Sequence, residues 1–253
     1  MSAHRWLSGF LLSLALSGCV TEYQGSRRPD ADPAVALGQR VGLARNYIGS
    51  GDWENAKRNL ELARDIDPDN PEVHEAFGLV YQSTGEYELA EQSFRKALRA
   101  DPKLSRARNN YAAFLFAQGR FEEAAEEFRK VTQDTLYGAR PLAFINLGNS
   151  LLQLGDKAGA EEAFNRTLTM DRRNPIALFE MAQLKYDAGD AETANRYYEV
   201  YRLVVSRQPP RGLLLGYRIA NELGDRNAAS SYELALRNLY PDSPEYRALA
   251  SGS

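Results

Sequence analysis

Apolar residues along most of the chain recur at spacings of three and four, which places them on one face of an α-helix. These helical stretches come in pairs that flank a turn glycine, and an alanine follows each such glycine five residues later. Successive turn glycines are 34, 34, 36, 34 and 35 residues apart, at Gly51, Gly85, Gly119, Gly155, Gly189 and Gly224. A helix pair with this period predicts an all-α, superhelical solenoid of about six helix pairs.

Each pair also carries the small residues that close packing of two helices requires. In the second repeat, Gly78 lies on the first helix, and Ala90 and Phe94 lie on the second. Glycine or alanine at the eighth position lets the second helix approach closely, and the turn glycine permits a positive φ. This pattern resembles the tetratricopeptide repeat. It predicts a repeat domain at residues 35–253, with repeats that start near residues 37, 71, 105, 141, 175 and 209.

Two parts of the chain depart from the repeat. An insertion at residues 133–139 explains the interval of 36 residues. In the sixth repeat, a start at Pro209 makes Gly224 one residue late, so the register of that repeat stays open. The tail from residue 240 to 253 contains Pro241 and Pro244, and it predicts a short capping turn over the last apolar face.

The first 18 residues have the layout of a secretory signal peptide. His4 and Arg5 precede an apolar run at residues 6–16, which is too short to span a bilayer. The sequence then reads Ser17-Gly18-Cys19, and Cys19 is the single cysteine of the chain. This ending resembles the bacterial lipobox, which implies lipidation of Cys19 and a membrane anchor through the N-terminal lipid. The alternative is a plain signal peptide that contains a cysteine by chance.

Residues 19–34 have no apolar period and predict a lipidated N-terminus followed by a flexible tether. Val20 follows the cysteine where an aspartate would resemble an inner-membrane retention signal. We therefore expect the protein on the periplasmic face of the outer membrane of a Gram-negative bacterium.

Composition excludes several classes of function. The chain of 253 residues has 31 basic and 34 acidic side chains and a net charge of -3, without the basic excess of a nucleic-acid binder. One cysteine and two histidines argue against a disulfide, a thiolate zinc cluster or a histidine-rich metal site. Catalytic and phosphate-binding motifs are absent from the sequence. We expect no enzyme activity, no cofactor, no metal and no small-molecule substrate.

The concave surface of a solenoid is lined mainly by first helices, and this predicts a protein-binding groove. The positions that form the groove in the tetratricopeptide family are here often large and apolar, which favours an apolar or amphipathic protein segment as the ligand. Some of these residues are expected to contact the neighbouring repeat instead. The predicted groove residues are Val41, Arg45, Ile48, Leu79, Gln82, Arg106, Asn109, Phe116, Ile145, Asn149, Leu152, Phe179 and Tyr186.

The lipobox, the tether and the six repeats together resemble the type IV pilus biogenesis lipoproteins of the PilF/PilW type, also called pilotins. The segments at residues 51–56 and 67–71 look particularly close. The resemblance implies a partner, the secretin subunit of the type IV pilus. It also implies a role in the outer-membrane localisation and multimer assembly of the secretin, which pilus biogenesis and twitching motility need. Two alternatives stay open: a scaffold lipoprotein for β-barrel assembly, and an adaptor for cell-wall enzymes.

Overall fold

The computed structural model describes residues 32–251, which form thirteen α-helices and contain no strand. The predicted signal peptide, Cys19 and nearly all of the predicted tether lie outside the described residues. Twelve helices form six antiparallel pairs, and a thirteenth packs on the last pair. The pairs are α1 (Pro33–Ser50) with α2 (Trp53–Ile66), α3 (Pro71–Ser83) with α4 (Tyr87–Ala100), α5 (Ser105–Ala117) with α6 (Phe121–Thr132), α7 (Arg140–Gln153) with α8 (Lys157–Met170), α9 (Pro175–Asp187) with α10 (Ala191–Val204), and α11 (Pro210–Glu222) with α12 (Arg226–Leu239).

The local signals in the sequence set the ends of these helices. All six turn glycines have φ between 75° and 81°, the left-handed region that glycine adopts without strain. Aspartate side chains cap the second helices of four repeats, as Asp52 does by accepting a hydrogen bond from the Asn55 N–H. Asn70 and Asn174 cap first helices that begin with proline. The predicted all-α solenoid of helix pairs is confirmed.

The small residues on the first helices are needed for close packing. A Cβ atom added to Gly78 would lie 2.6 Å from Cε1 of Phe94, and one added to Gly148 would lie 2.6 Å from Cε1 of Phe164. Both phenylalanines are fully buried on the second helix of the same repeat. The aromatic ring of one helix therefore occupies the space above a glycine of its partner.

The solenoid curves towards its first helices. First helices of neighbouring repeats pack on one another, as α1 does on α3 and α3 does on α5, whereas second helices of neighbouring repeats make no comparable contact. The first helices therefore line the concave inner surface, and the second helices form the convex outer surface.

One boundary differs from the prediction. Helix α1 begins at Pro33, so its first two residues fall inside the predicted tether at residues 19–34. The reason is that Asp32 caps the helix and Pro33 occupies its first turn.

Helix α11 begins at Pro210, one residue after the Pro209 start from which the register of the sixth repeat is counted. Gly224 follows Pro210 by the same interval at which Gly189 follows Pro175, so the turn glycine is not late. The additional residue lies in the linker before α11. The helix thereby turns Gly216 towards the ring of Tyr198 on the preceding repeat instead of towards its own second helix.

Helix α13 (Pro244–Ser251) covers the end of the solenoid. Its Leu249 packs with Leu213 of α11 and Leu236 of α12, and Tyr217 and Tyr246 pack against this cluster. The tail predicted as a capping turn is therefore a short helix that buries the last apolar face.

Candidate functional site

The inner surface is built from the first helices, and the fifth position of each helix is less accessible than predicted. Val41, Asn109, Ile145 and Phe179 occupy this position in four repeats and are between 3% and 8% exposed. Val41, Asn109 and Ile145 are therefore not accessible in an open groove, contrary to the prediction, whereas Phe179 still lines a cleft between the fifth and sixth repeats. Because first helices of neighbouring repeats contact one another, they close over the fifth position and bury it.

The other nine predicted groove residues are partly exposed on the inner side. Ile48 packs against the apolar cluster of the first two repeats, and Tyr186 packs against that of the fifth and sixth. Leu79, Phe116 and Leu152 pack against the central cluster. The remaining four are polar: Arg45, Gln82, Arg106 and Asn149.

A small cavity joins two of these predicted residues. It has a volume of about 80 Å³ and is lined by Phe116 and Asn149, together with Ala113, Phe128 and Asn146. The structure therefore brings Phe116 of the third repeat and Asn149 of the fourth together, as a shallow depression on the inner surface.

A charge network, formed by Arg45, Glu72, Glu75, Arg106 and Asn110, covers the inner surface of the first three repeats. The Glu75 side chain is 1% exposed, and its carboxylate accepts hydrogen bonds from Arg45 Nη2 at 2.6 Å and from Asn110 Nδ2 at 2.6 Å. Glu72 accepts a hydrogen bond from Arg45 Nη1 at 3.0 Å. Arg106 forms salt bridges with both glutamates, at 3.3 Å and 3.5 Å. The network joins the first helices of three successive repeats.

The electrostatics of this network favour the ionised form of Glu72. Burial works to raise the pKa of Glu72, but the hydrogen bond and charge of Arg45, together with the charge of Arg106, outweigh it and lower the pKa. Two arginines and two glutamates balance each other. Arg45 and Arg106 are thus ion-paired within the protein, and both side chains stay partly exposed on the inner surface, at 29% and 39%.

A larger cleft lies between the fifth and sixth repeats. This C-terminal cleft has a volume of about 520 Å³. Its walls come from the start of α9, the end of α10, the linker that follows and the start of α11, and α13 contributes to the rim. The lining residues are Pro175, Ile176, Phe179, Glu180, Tyr201, Val205, Pro209, Pro210, Arg211 and Glu245.

Three charged side chains also line the cleft: Arg211, Glu180 and Glu245. The Arg211 guanidinium lies over the Phe179 ring, with its central carbon 5.0 Å from the ring centroid. Burial raises the pKa of the Glu180 carboxyl, although the charge of Arg211 acts in the opposite direction. Glu245 lies on the rim. The cleft therefore combines a large apolar surface with a few polar groups, the usual chemistry of a binding site.

Of the cleft residues, the sequence-based set contained Phe179 alone. Two signals in the sequence point to the others: the Pro209-Pro210 dipeptide, and the interval of 35 residues between the last two turn glycines. Neither signal says that the additional residue opens a cleft, because that depends on how α10 and α11 pack.

Two other kinds of site are absent from the described residues. Within residues 32–251, no helix is both long and apolar enough to cross a membrane. The same part of the chain contains no group of three or more histidine, cysteine, aspartate or glutamate side chains placed to hold a metal ion.

Comparison with known proteins places the chain in a family. Residues 41–105, 75–141 and 145–209 each match the family model of the tetratricopeptide repeat. The chain is 39% identical to the type IV pilus assembly protein PilF of Pseudomonas aeruginosa, over 94% of each chain. The solved structure of Pseudomonas aeruginosa PilF superimposes with a TM-score of 0.82 at 38% identity and covers 87% of this chain and 99% of its own. The crystal structure of PilW, described as a widely conserved type IV pilus biogenesis factor, gives 0.74 at 30% identity and covers 85% and 98%. The chain therefore belongs to the PilF/PilW family of tetratricopeptide repeat proteins.

Proposed function

We propose that this protein acts in type IV pilus biogenesis as a pilotin, a lipoprotein that binds the secretin subunit and promotes its localisation and multimer assembly in the outer membrane. The observation that carries the proposal is the 39% identity to PilF over 94% of both chains. Identity of that extent includes the residues between the shared repeat positions, and those residues determine what a repeat protein binds.

The proposed mechanism is binding without a chemical reaction. An apolar segment of a secretin subunit that has not yet inserted into the membrane is shielded on the inner surface, where Ile48, Phe116 and Leu152 remain partly exposed. Burial of such a segment contributes about 25 cal/mol per Å² of apolar surface, and this prevents its association with other apolar surfaces. The repeat scaffold supplies the shape, and its accessible side chains select the partner.

The N-terminal lipid completes the mechanism. Lipidation of Cys19 anchors the protein on the periplasmic face of the outer membrane, and the tether lets the repeats reach a partner nearby. Restriction to one membrane raises the effective concentration of the protein for a partner on that membrane. Several acyl chains together hold far longer than one chain.

A deletion strain tests the proposal. Secretin multimers resist dissociation in an unheated gel, so the fraction of secretin in multimers and its location after membrane fractionation can be measured together. We expect loss of multimers from the outer membrane in the deletion strain and their recovery with the wild-type gene. Intact, correctly located multimers without the protein would overturn the proposal. Broad loss of outer-membrane proteins would favour β-barrel assembly, and altered peptidoglycan processing would favour an adaptor for cell-wall enzymes.

Two variants of the complementing gene separate anchoring from binding. Cys19→Ser should leave the protein folded but in the soluble periplasmic fraction. The double variant Ile48→Glu/Phe116→Glu should stay on the membrane, keep its helical circular dichroism and lose the secretin. Retention of Cys19→Ser on the membrane, or secretin binding by the folded double variant, would contradict the corresponding step.

A further inference from the structure

We propose that the C-terminal cleft is a second contact with the secretin subunit, in addition to the inner-surface contact at Ile48 and Phe116: an apolar, helical segment of the secretin docks there, and this segment carries a lysine or arginine among its apolar side chains. The identity of the partner rests on the proposed function. The location of the site and the chemistry of the segment rest on the cleft itself.

The walls favour binding through side chains rather than through the peptide backbone. Pro209 and Pro210 have no N–H, and the Val205 N–H is already donated to the Tyr201 carbonyl at 3.2 Å. The three residues of this wall that line the cleft, Val205, Pro209 and Pro210, therefore offer no free backbone N–H to an extended strand. A helix satisfies its own backbone groups and presents apolar side chains at intervals of three and four residues, so it suits a cleft that offers apolar contact.

The charges in the cleft favour a basic side chain on that helix. Within residues 32–251, Glu180 and Glu245 form no salt bridge or hydrogen bond, and the one basic lining residue, Arg211, lies over Phe179. Two carboxylates and one guanidinium leave an excess of negative charge in largely apolar surroundings. A lysine or arginine on the docked helix would give Glu180 a partner, and an acidic side chain there would be repelled.

The cleft is held in shape before anything binds. The Tyr198 hydroxyl lies 2.6 Å from Gln208 Oε1 and 2.9 Å from the Gly212 carbonyl oxygen, so its one proton is shared between these two acceptors, and the Tyr240 hydroxyl donates to the Gln208 carbonyl at 2.9 Å. These bonds fix the linker at residues 205–209 between α10 and α11. Because the linker is already ordered, docking costs little conformational entropy.

One matched pair of variants tests the location. Ile176 lines the cleft and is 47% exposed, whereas Leu142 holds the equivalent position one repeat earlier, outside the cleft, and is 45% exposed. Binding of the purified, detergent-solubilised secretin subunit is measured by fluorescence titration against the wild type, Ile176→Glu and Leu142→Glu. We expect Ile176→Glu to raise the dissociation constant by about tenfold or more and Leu142→Glu to change it by less than about twofold. Circular dichroism checks that each variant is folded.

A second pair tests the charge. Glu180→Gln should weaken binding by about threefold to tenfold, and the loss should shrink at high salt, whereas Glu222→Gln on the exposed part of α11 should have no effect. A photoreactive phenylalanine analogue at position 205 identifies the occupant. We expect a cross-link to a secretin peptide that contains apolar residues and a lysine or arginine.

The outcomes separate the two proposals. If the wild type binds the secretin but Ile176→Glu binds equally well, the cleft is not a docking site and the proposed function stands. A cross-link to phospholipid, to a second copy of this protein or to an acidic secretin segment also overturns the inference alone. If the wild type does not bind the secretin at all, the proposed function fails, and the partner named for the cleft fails with it.

Discussion

The second and third repeats differ in chemistry from the fourth and fifth, although their first helices are structurally equivalent. At the second position the earlier pair carries Glu72 and Arg106, and the later pair carries Leu142 and Ile176. At the fifth position, Glu75 and Asn109 are replaced by Ile145 and Phe179. In the earlier half Glu72, Glu75 and Arg106 are ion-paired within the protein, whereas the later half leaves apolar surface and a cleft open.

The comparison shows which positions the repeat fold leaves free. The eighth position holds glycine or alanine in both halves. In the second and fourth repeats, a phenylalanine ring of the second helix packs directly above this residue. The side chain at the second position is at least partly exposed, so the packing of the repeat does not fix its residue type. It is charged in one half and apolar in the other. The fifth position is buried in both halves: it is polar in the earlier half, where Glu75 is ion-paired and Asn109 is a neutral amide, and apolar in the later half.

The largest expected effect comes from placing a charge at the fifth position of the apolar half. Ile145 is 3% exposed and lies within the central apolar cluster. Ile145→Glu should destabilise the protein by about 4 kcal/mol, because it removes a buried apolar side chain and buries a carboxylate without a partner. Urea denaturation measures the loss. Leu142→Glu is the exposed control, and an equal effect of the two variants would show that the fifth position is not closed.

The reverse exchange in the charged half should cost less. Glu75→Ile leaves Arg45 and Arg106 without their shared carboxylate, but these side chains are 29% and 39% exposed and can still reach water. We expect a loss of about 2 kcal/mol. Combination with Arg45→Met should recover part of the loss, and a double-mutant cycle in urea measures the coupling. Additive effects would mean that the ion pair does not join the repeats.

The glycines at the eighth position should behave alike in both halves. Gly78→Ala and Gly148→Ala each force a methyl group against a buried phenylalanine ring, which should cost about 1–3 kcal/mol. The matched control is Gly38→Ala within α1, where a Cβ atom meets nothing within 4 Å and alanine should stabilise the helix by up to about 1 kcal/mol. Thermal denaturation compares the three. A loss of stability in only one of the two variants would show that the repeats of the two halves are not structurally equivalent.

The smallest effect is a pH dependence of opposite sign in the two halves. The pKa of Glu180 is raised in the folded state, so its carboxylate opposes folding at neutral pH. This penalty disappears as the pH falls towards the pKa of the same carboxyl in the unfolded state. Glu180→Gln should therefore be slightly more stable than the wild type near pH 7, by less than about 1 kcal/mol given its partial exposure, and the difference should shrink on acidification.

Glu72 should respond in the other direction. The pKa of Glu72 is lowered in the folded state, so its carboxylate stabilises the fold at a pH above its unfolded-state pKa. This stabilisation is lost as the pH falls through its folded-state pKa. Glu72→Gln should be less stable than the wild type at neutral pH, and the two should converge in acid. Urea midpoints measured from about pH 7 down to about pH 3 test both variants, because Glu72 loses its contribution only below the pKa of an unfolded glutamate, about 4.3. The same sign in both would contradict the division between the two halves.

The sequence by itself determined the helix pairs, their turns and their stacking, because these depend on local signals that recur with a fixed period. A turn glycine, the alanine five residues later and the small eighth residue have the same neighbours in every repeat. For the same reason, residues such as Phe116 and Asn149 could be assigned to the inner surface from their positions alone.

Only the tertiary structure decided which inner residues are accessible. The burial of Val41 and Ile145, the pairing of Arg45 with Glu75 and the opening of the cleft at Pro209-Pro210 arise between repeats. Each depends on the distance and rotation between neighbouring helices, and one additional residue before α11 changes that rotation. Periodicity in a sequence records what each repeat has in common, whereas contacts between repeats depend on how they differ.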